Sequence, residues 1–194
     1  MPTQTHNSAQ HRIIIAGFGG QGVLTLGKLL CLAGIGEGKR VTYLPSYGSE
    51  VRGGTANCHV VLSPTEIFSP LVEAADSLII LNQQSFDRFS DLHRPGGLAL
   101  VNTSLIDPAA YAASHDVQFV GIPATDLAVD MGNVLVANVI LLGAFIRLTS
   151  LCSEENVEKA LRQYLAGPKN KNVDINLAAL AQGRASAENA LEVG

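Results

Sequence analysis

The segment RIIIAGFGGQGVLTLGKLLCLAGI, residues 12–35, constrains this chain more than any other. RIIIAG is a continuous run of β-branched and apolar residues after one Arg, the pattern of a central parallel strand buried on both faces. It runs straight into the glycine loop GFGGQG, and VLTLGKLLCLAGI then reads as a mostly apolar helix. KRVTYLP (39–45) reads as the next strand. Strand, loop, helix and strand within about 30 residues form a β-loop-α-β unit, whose crossover is right-handed.

The rest of the chain continues the alternation. TANCHVVLS (55–63) alternates polar and apolar residues and is expected to turn through SPTE into IFSP as an antiparallel hairpin near a sheet edge. SLIILN (77–82), GGLALVNTS (96–104) and DVQFVGIP (116–123) read as further strands, with QSFDRFSDL as a short helix between the first two. NVLVANVILLGAFIRL (133–148) reads as a buried helix. SEENVEKALRQYL (153–165) is amphipathic, with Ser153 as N-cap, Glu154 and Glu155 in its first turn, and Gly167-Pro168 as its stop. A last helix runs through NLAALAQGRASAENAL. The pattern predicts an α/β fold: one three-layer, Rossmann-like domain over residues 12–190, with a mostly parallel sheet and an antiparallel hairpin. Residues 1–11 are expected to form a disordered tail.

Composition narrows the function classes. A length of 194 residues suits one such domain, and 47% hydrophobic against 15% charged residues supplies an ample core; the low charge fits either faces buried against partner chains or an Ala/Gly-rich monomer. A net charge of -4 and 5% aromatics give no support to a general nucleic-acid role. The opening MPTQTHNSAQH lacks the apolar stretch of a secretory signal. The longest apolar run, VLVANVILLGAFI (134–146), is too short to cross a bilayer and contains Asn138, so no membrane role is expected and cytoplasm is the default. Cys31, Cys58 and Cys152 lack the spacing of a zinc or iron–sulfur ligand set and read as buried free thiols.

Gly17, Gly19 and Gly22 match G-x-G-x-x-G in the context of strand, loop and helix. Gly17 permits a tight turn, Gly19 lets a ligand or another backbone approach, and Gly22 lets the helix pack on the strand. The helix N-terminus offers free N–H groups and a partial positive charge to an anion. The dinucleotide reading also needs an acid at the end of the second strand to hold a ribose. That strand ends instead in Leu44, Pro45, Ser46 and Tyr47, and Glu50 comes only later, inside the loop. NAD or FAD binding is therefore disfavoured. Two readings stay open: a loop facing a phosphate supplied within an assembly, and a structural tight turn.

The next loop, SYGSEVRGG, holds Arg52, the only cation between Arg40 and Arg88. Arg52 precedes Gly53 and Gly54, where the backbone can take positive φ and present N–H groups. A guanidinium beside a glycine pair suits phosphate or carboxylate. The loop leaves the carboxyl end of the second strand, so it is expected at the same rim as GFGGQG. Pairing of Arg52 with Glu50, and a half-buried core position for Tyr47, are the alternatives at these residues.

These blocks also carry a family resemblance. IIIAGFGGQGVLTLGKLLCLAG, YLPSYGSEVRGGTANCHVVLS, PLVEAADSLIILNQQSFDRF and DMGNVLVANVILLGAF, within residues 12–150, resemble the gamma subunit of 2-oxoacid:ferredoxin oxidoreductases. The E-V-R-G-G-T-A-N form is most similar to the 2-oxoglutarate type, with pyruvate, branched-chain and indolepyruvate relatives close. The resemblance implies a complex that decarboxylates a 2-oxoacid on thiamine diphosphate, passes electrons through iron–sulfur clusters to ferredoxin and releases an acyl-CoA. It implies that thiamine diphosphate, Mg and the clusters lie on partners: alpha and beta subunits and a ferredoxin-like delta subunit. It further implies that Gly17, Gly19, Gly20, Gln21, Gly22, Arg52, Gly53 and Gly54 face the phosphates of coenzyme A or the channel it enters by. No catalytic residue and no metal ligand are expected on this chain, which is expected to be inactive alone. The competing readings are a stand-alone nucleotide-binding module and a scaffold subunit whose loops touch only protein.

Several other residues invite a bland reading. Asn133 is expected to cap the long helix and Asn138 to be a buried amide tying a loop down. Asp126 and Asp130 stand four apart and are expected to be solvated or capping. His59 reads as a strand-face side chain, His6 and His11 as tail residues, and His93 and His115 as loop residues.

Overall fold

The structure is a computed structural model that describes residues 10–47, 55–107, 116–166 and 172–193. Strand β1 (His11–Phe18) sits inside a six-stranded sheet with β2 (Arg40–Tyr47), β3 (Thr55–Ser63), β4 (Ala75–Ile80), β5 (His93–Asn102) and β6 (Val117–Ile122). The spatial order is β2-β3-β1-β4-β5-β6. β1, β4, β5 and β6 are mutually parallel, whereas β3 runs antiparallel to both β1 and β2. Ile13, Ile14, Ile15 and Ala16 are all 0% exposed, as a strand covered on both faces requires. Ile13 and Ile15 enter one core, and Ile14 and Ala16 enter the other.

The two faces are covered unequally. On the first, α1 (Val23–Gly36) lies over β1, β2 and β3, while α4 (Ala137–Thr149) contacts β5 and α6 (Val173–Val193) contacts β6. Helices α3 (Ala124–Asp130) and α5 (Glu154–Tyr164) pack onto this layer. Among the described residues the other face carries one short helix, α2 (Gln83–Phe89), whose Phe86 and Phe89 join Ile14, Leu78 and Ile80 in one core. The chain is thus a three-layer, mostly parallel α/β fold with a thin third layer.

Two glycines bring α4 and α6 together. A Cβ on Gly143 would stand 2.1 Å from the Leu180 carbonyl oxygen, and one on Gly183 would stand 1.9 Å from that of Ile140. Only glycine allows backbones to approach this closely.

The expected hairpin is drawn differently. TANCHVVLS pairs with β2 through residues 48–54, not with IFSP. It is internal, because β1 occupies its other side. Pro64 and Pro70 remove ladder donors from the segment after it. That segment is held instead by Gln10 Nε2 donating to the Glu66 carbonyl and by Val72 N–H donating to His59 Nδ1. β2 is the edge on this side of the sheet, and it carries Pro45 opposite Cys58.

Two histidines also sit elsewhere than expected. His11 opens β1 rather than closing a tail: its Nε2 lies 2.9 Å from the buried Ser77 Oγ and its ring meets Phe145 edge-on at 6.4 Å. His93 opens β5. Residues 1–9, which hold His6, and His115 lie outside the described residues. Ser153 and Asn133 are N-caps as expected, accepting from the N–H groups of Asn156 and Leu135. Asn133 caps a single 3-10 turn that leads into α4.

The end of α1 is clasped to the start of α5. Glu37 Oε1 accepts from Ser153 N–H at 2.6 Å, Ser153 Oγ at 2.6 Å and Asn156 Nδ2 at 2.7 Å. The Ser153 and Asn156 donors hold the Glu37 carboxyl down at about 2. A carboxyl depressed in the folded state adds stability above its unfolded pKa of about 4.3 and loses it as pH falls toward the folded value. Stability of the purified chain should therefore decline between about pH 4 and pH 2, and Glu37→Gln should flatten that part of the curve. A methyl group at the helix crossing gives the second expectation. Gly183→Ala should destabilise by about 2–3 kcal/mol and lower Tm by roughly 5–10 °C in a thermal melt.

Candidate functional site

The carboxyl end of β1 lies at one rim of the sheet with the end of β2 and the start of β3. Phe18 stands opposite Thr55, Gly17 opposite Ala56, and Ala56 opposite Tyr47. Arg52, Gly53 and Gly54 lie outside the described residues, between these flanks. Thr55, the first described residue after them, accepts from Arg88 Nη1 at 3.2 Å. Arg88 is thus a cation at this rim that sequence reasoning missed. It stands on the exposed face of a short helix, where nothing in the sequence sets it apart.

Gly17, Gly20 and Gly22 each have a distinct reason to be glycine. A Cβ on Gly17 would fall 2.8 Å from Val23 Cγ2 and 2.9 Å from Gln21 Oε1. Gly20 has φ 99° and nothing within 4 Å of its Cβ direction, so this stretch of backbone is open. Gly22 has φ 79°, and its Cβ would lie 2.3 Å from Asn138 Nδ2. Gly19 is exposed. No side chain caps α1 and no acid stands in its first turn, so its N–H groups and partial positive charge face the rim.

Gln21 does most to fix the loop's shape. Its Oε1 accepts from Phe18 N–H at 2.7 Å and from Asn82 Nδ2 at 2.8 Å, and its Nε2 reaches the Leu81 carbonyl at 3.5 Å. Asn82 Oδ1 in turn caps α2 through Ser85 N–H. Asn102 Nδ2 also donates to Leu81 O, at 3.3 Å, and to Thr125 Oγ1, at 2.8 Å. Amides at the ends of β1, β4 and β5 thus lock three strand ends to one another. The Gln21 side chain is turned inward. Asn82, Asn102 and Thr125 escaped sequence reasoning, since isolated amides at strand ends carry no motif.

Two clefts flank the loop, and Gly20 borders both. One, of about 260 Å³, lies over the strand ends and is bordered by Gln21, Asn102, Thr125 and Leu105. The other, of about 220 Å³, lies between α1, α4, α5 and α6 and is bordered by Gly22, Thr25, Asn138 and Tyr164. Asn138 is 4% exposed and ties the loop as expected, donating from Nδ2 to the Gly22 carbonyl at 3.2 Å. Val134 and Leu135 stand exposed beside the clefts.

The remaining candidates stay bland. Asp126 and Asp130 share α3 and are exposed. His59 is half-buried on β3, and burial lowers its pKa. The three cysteines are free and buried; burial pushes Cys31 and Cys58 up to about 12 and Cys152 to about 11, so all three are protonated thiols at neutral pH. Among the described residues no three His, Cys, Asp or Glu side chains gather to hold a metal ion. No described helix is long and apolar enough to cross a membrane.

The amide network yields a direct expectation. Gln21→Ala leaves the Phe18 N–H and the Asn82 amide without their acceptor, which should cost about 2 kcal/mol in denaturant unfolding. It should also speed hydrogen exchange at Phe18 more than at Ile14, deep in the same strand.

Known proteins share this arrangement. The family model for pyruvate ferredoxin/flavodoxin oxidoreductase matches residues 12–186. The chain is 39% identical over 183 residues to ketoisovalerate oxidoreductase subunit VorA of Methanothermobacter marburgensis, covering 93% of this chain but only 37% of VorA. It is 36% identical over 167 residues to 2-oxoglutarate synthase subunit KorC of Methanocaldococcus jannaschii, covering 83% of this chain and 87% of KorC. The gamma subunit of a keto/oxoacid ferredoxin oxidoreductase from Geobacter sulfurreducens superimposes with a TM-score of 0.81 at 29% identity, covering 94% of this chain and 99% of that one. A match that runs from the second residue of β1 into α6 takes in the sheet, the glycine loop and the rim, and the chain belongs to the pyruvate ferredoxin/flavodoxin oxidoreductase family.

Proposed function

We propose that the chain is the gamma-type subunit of a cytoplasmic, multi-subunit 2-oxoacid:ferredoxin oxidoreductase. In this reading thiamine diphosphate with Mg belongs to alpha and beta subunits, and a ferredoxin-like delta subunit carries clusters toward ferredoxin. The reaction converts a 2-oxoacid and coenzyme A into an acyl-CoA and CO2, and this chain contributes no catalytic group. Its part is to receive coenzyme A at the entrance.

The observation that carries this reading is the shared rim. The open backbone at Gly20, the uncapped N-terminus of α1 and the flanks of the Arg52 loop come together there. An anion finds free N–H groups and positive potential at such a place. Gly19 and Gly20 form the contact surface, Gly17, Gln21 and Gly22 fix its shape, and Arg52, Gly53 and Gly54 face the phosphates or the channel. For the oxoacid we propose 2-oxoglutarate. The E-V-R-G-G-T-A-N block supports it, as does the 36% identity to KorC, which this chain matches over 87% of its length.

Tagging the chain and purifying it from its native cells should recover thiamine-binding partners, and the recovered complex should reduce ferredoxin fastest with 2-oxoglutarate. A chain that stays alone, or a complex that prefers ketoisovalerate or pyruvate, overturns the corresponding part. Arg52→Ala should weaken apparent coenzyme A affinity roughly ten- to hundredfold with the complex intact. If assembly fails while the affinity of the residual complex holds, the loop serves only to contact protein.

A further inference from the structure

The end of the sheet opposite the glycine loop holds a wide, open cleft of about 840 Å³. Arg12, Asp76 and Arg94, near the amino ends of β1, β4 and β5, form one side of it. The segment between β3 and β4 forms the other, with Phe68, Leu71 and Glu73. Phe68 is 89% exposed and Leu71 is 51% exposed. Yet their segment is pinned on both sides of them. Ile67 and Val72 pack into the core that holds Ile14. The Glu66 carbonyl accepts from Gln10, and Val72 N–H donates to His59. Two large apolar side chains are thus held out in water by anchored backbone, so covering them costs little ordering entropy.

The charges on the same cleft say what covers it. Asp76 is already engaged: its Oδ1 accepts from Arg94 Nη1 at 3.0 Å and its Oδ2 from Arg12 N–H at 2.7 Å. The Arg12 guanidinium donates from Nη2 to Gln10 Oε1 at 3.0 Å, a neutral amide. Glu73 is exposed. Among the described residues neither Arg12 nor Glu73 has an ion-pair partner. The cleft therefore presents one uncompensated charge of each sign beside its apolar residues. A purely acidic partner would be repelled by Glu73, and a purely basic one by Arg12. The matching surface is apolar and carries both signs, which is the composition of this same face on a second copy. Under a two-fold rotation every such contact is made twice.

We infer that two copies of this chain join through this cleft, each laying Phe68 and Leu71 against the other, with Arg12 of one copy facing Glu73 of its twin. The glycine loop follows the opposite end of β1, so both rims stay open to other chains.

The test uses the purified full-length chain, with mass and dimer affinity read by sedimentation. The wild type should have twice the chain's mass at micromolar concentration. Phe68→Asp should weaken the dimer by roughly a hundredfold or more, with its thermal melt unchanged. Arg12→Glu alone and Glu73→Arg alone should each sediment as monomers, because like charges then face each other twice. Mixing these two variants should restore the dimer, since both contacts between them join opposite charges. Loss of fold cannot produce that rescue. A wild-type chain that stays monomeric, or single variants that remain monomeric when mixed, overturns the inference. So does a Phe68→Asp variant that leaves the mass of the isolated chain unchanged and instead strips a different subunit from the native complex, which gives the face to that subunit.

Discussion

Everything in this molecule is hung on the double-sided burial of β1. Its four central residues are wholly excluded from water, which demands a strand on each edge and a layer on each face. The edges are met in two ways, by antiparallel β3 on one side and parallel β4 on the other. That mixture is what places the end of β2 and the start of β3 next to the glycine loop. Had β2 paired directly with β1, as in an all-parallel arrangement, β3 would not carry the chain back from that rim.

The strand ends convert this burial into a shaped surface. Backbone groups at the carboxyl ends of β1, β4 and β5 run out of ladder partners, and amide side chains take over. Gln21, Asn82 and Asn102 are suited to this, because each offers both donors and an acceptor. The glycine loop therefore owes its shape to neighbouring elements as much as to its own glycines. Asn138 of α4 completes the hold from the helical side.

Much of this was legible in the sequence. All six strands, the long helices and the caps at Ser153 and Asn133 follow from hydrophobic runs and end signals, because those are local. The partner of TANCHVVLS was not legible. Its alternation is equally good for either neighbour, and only pairing across the sheet decides. The boundary at His11 failed for a similar reason: a histidine reads as polar, whereas here Ser77 and Phe145 receive it. At the rim, G-x-G-x-x-G marked the loop between β1 and α1, which the strand and helix on either side make legible. The inward turn of Gln21 and the amides that meet it are long-range contacts, which no spacing rule contains.

Pro45 has a consequence for how this chain can assemble. β2 is a free edge of the sheet, and free edges invite a strand from another molecule. Pro45, sixth of the eight residues of that strand, has no N–H to offer a ladder partner there. Growth of the sheet from one chain into the next is thereby discouraged on this side. A neighbour is directed toward side-chain surfaces and loops, where recognition depends on shape and chemistry and not on main-chain pairing that any extended peptide could supply.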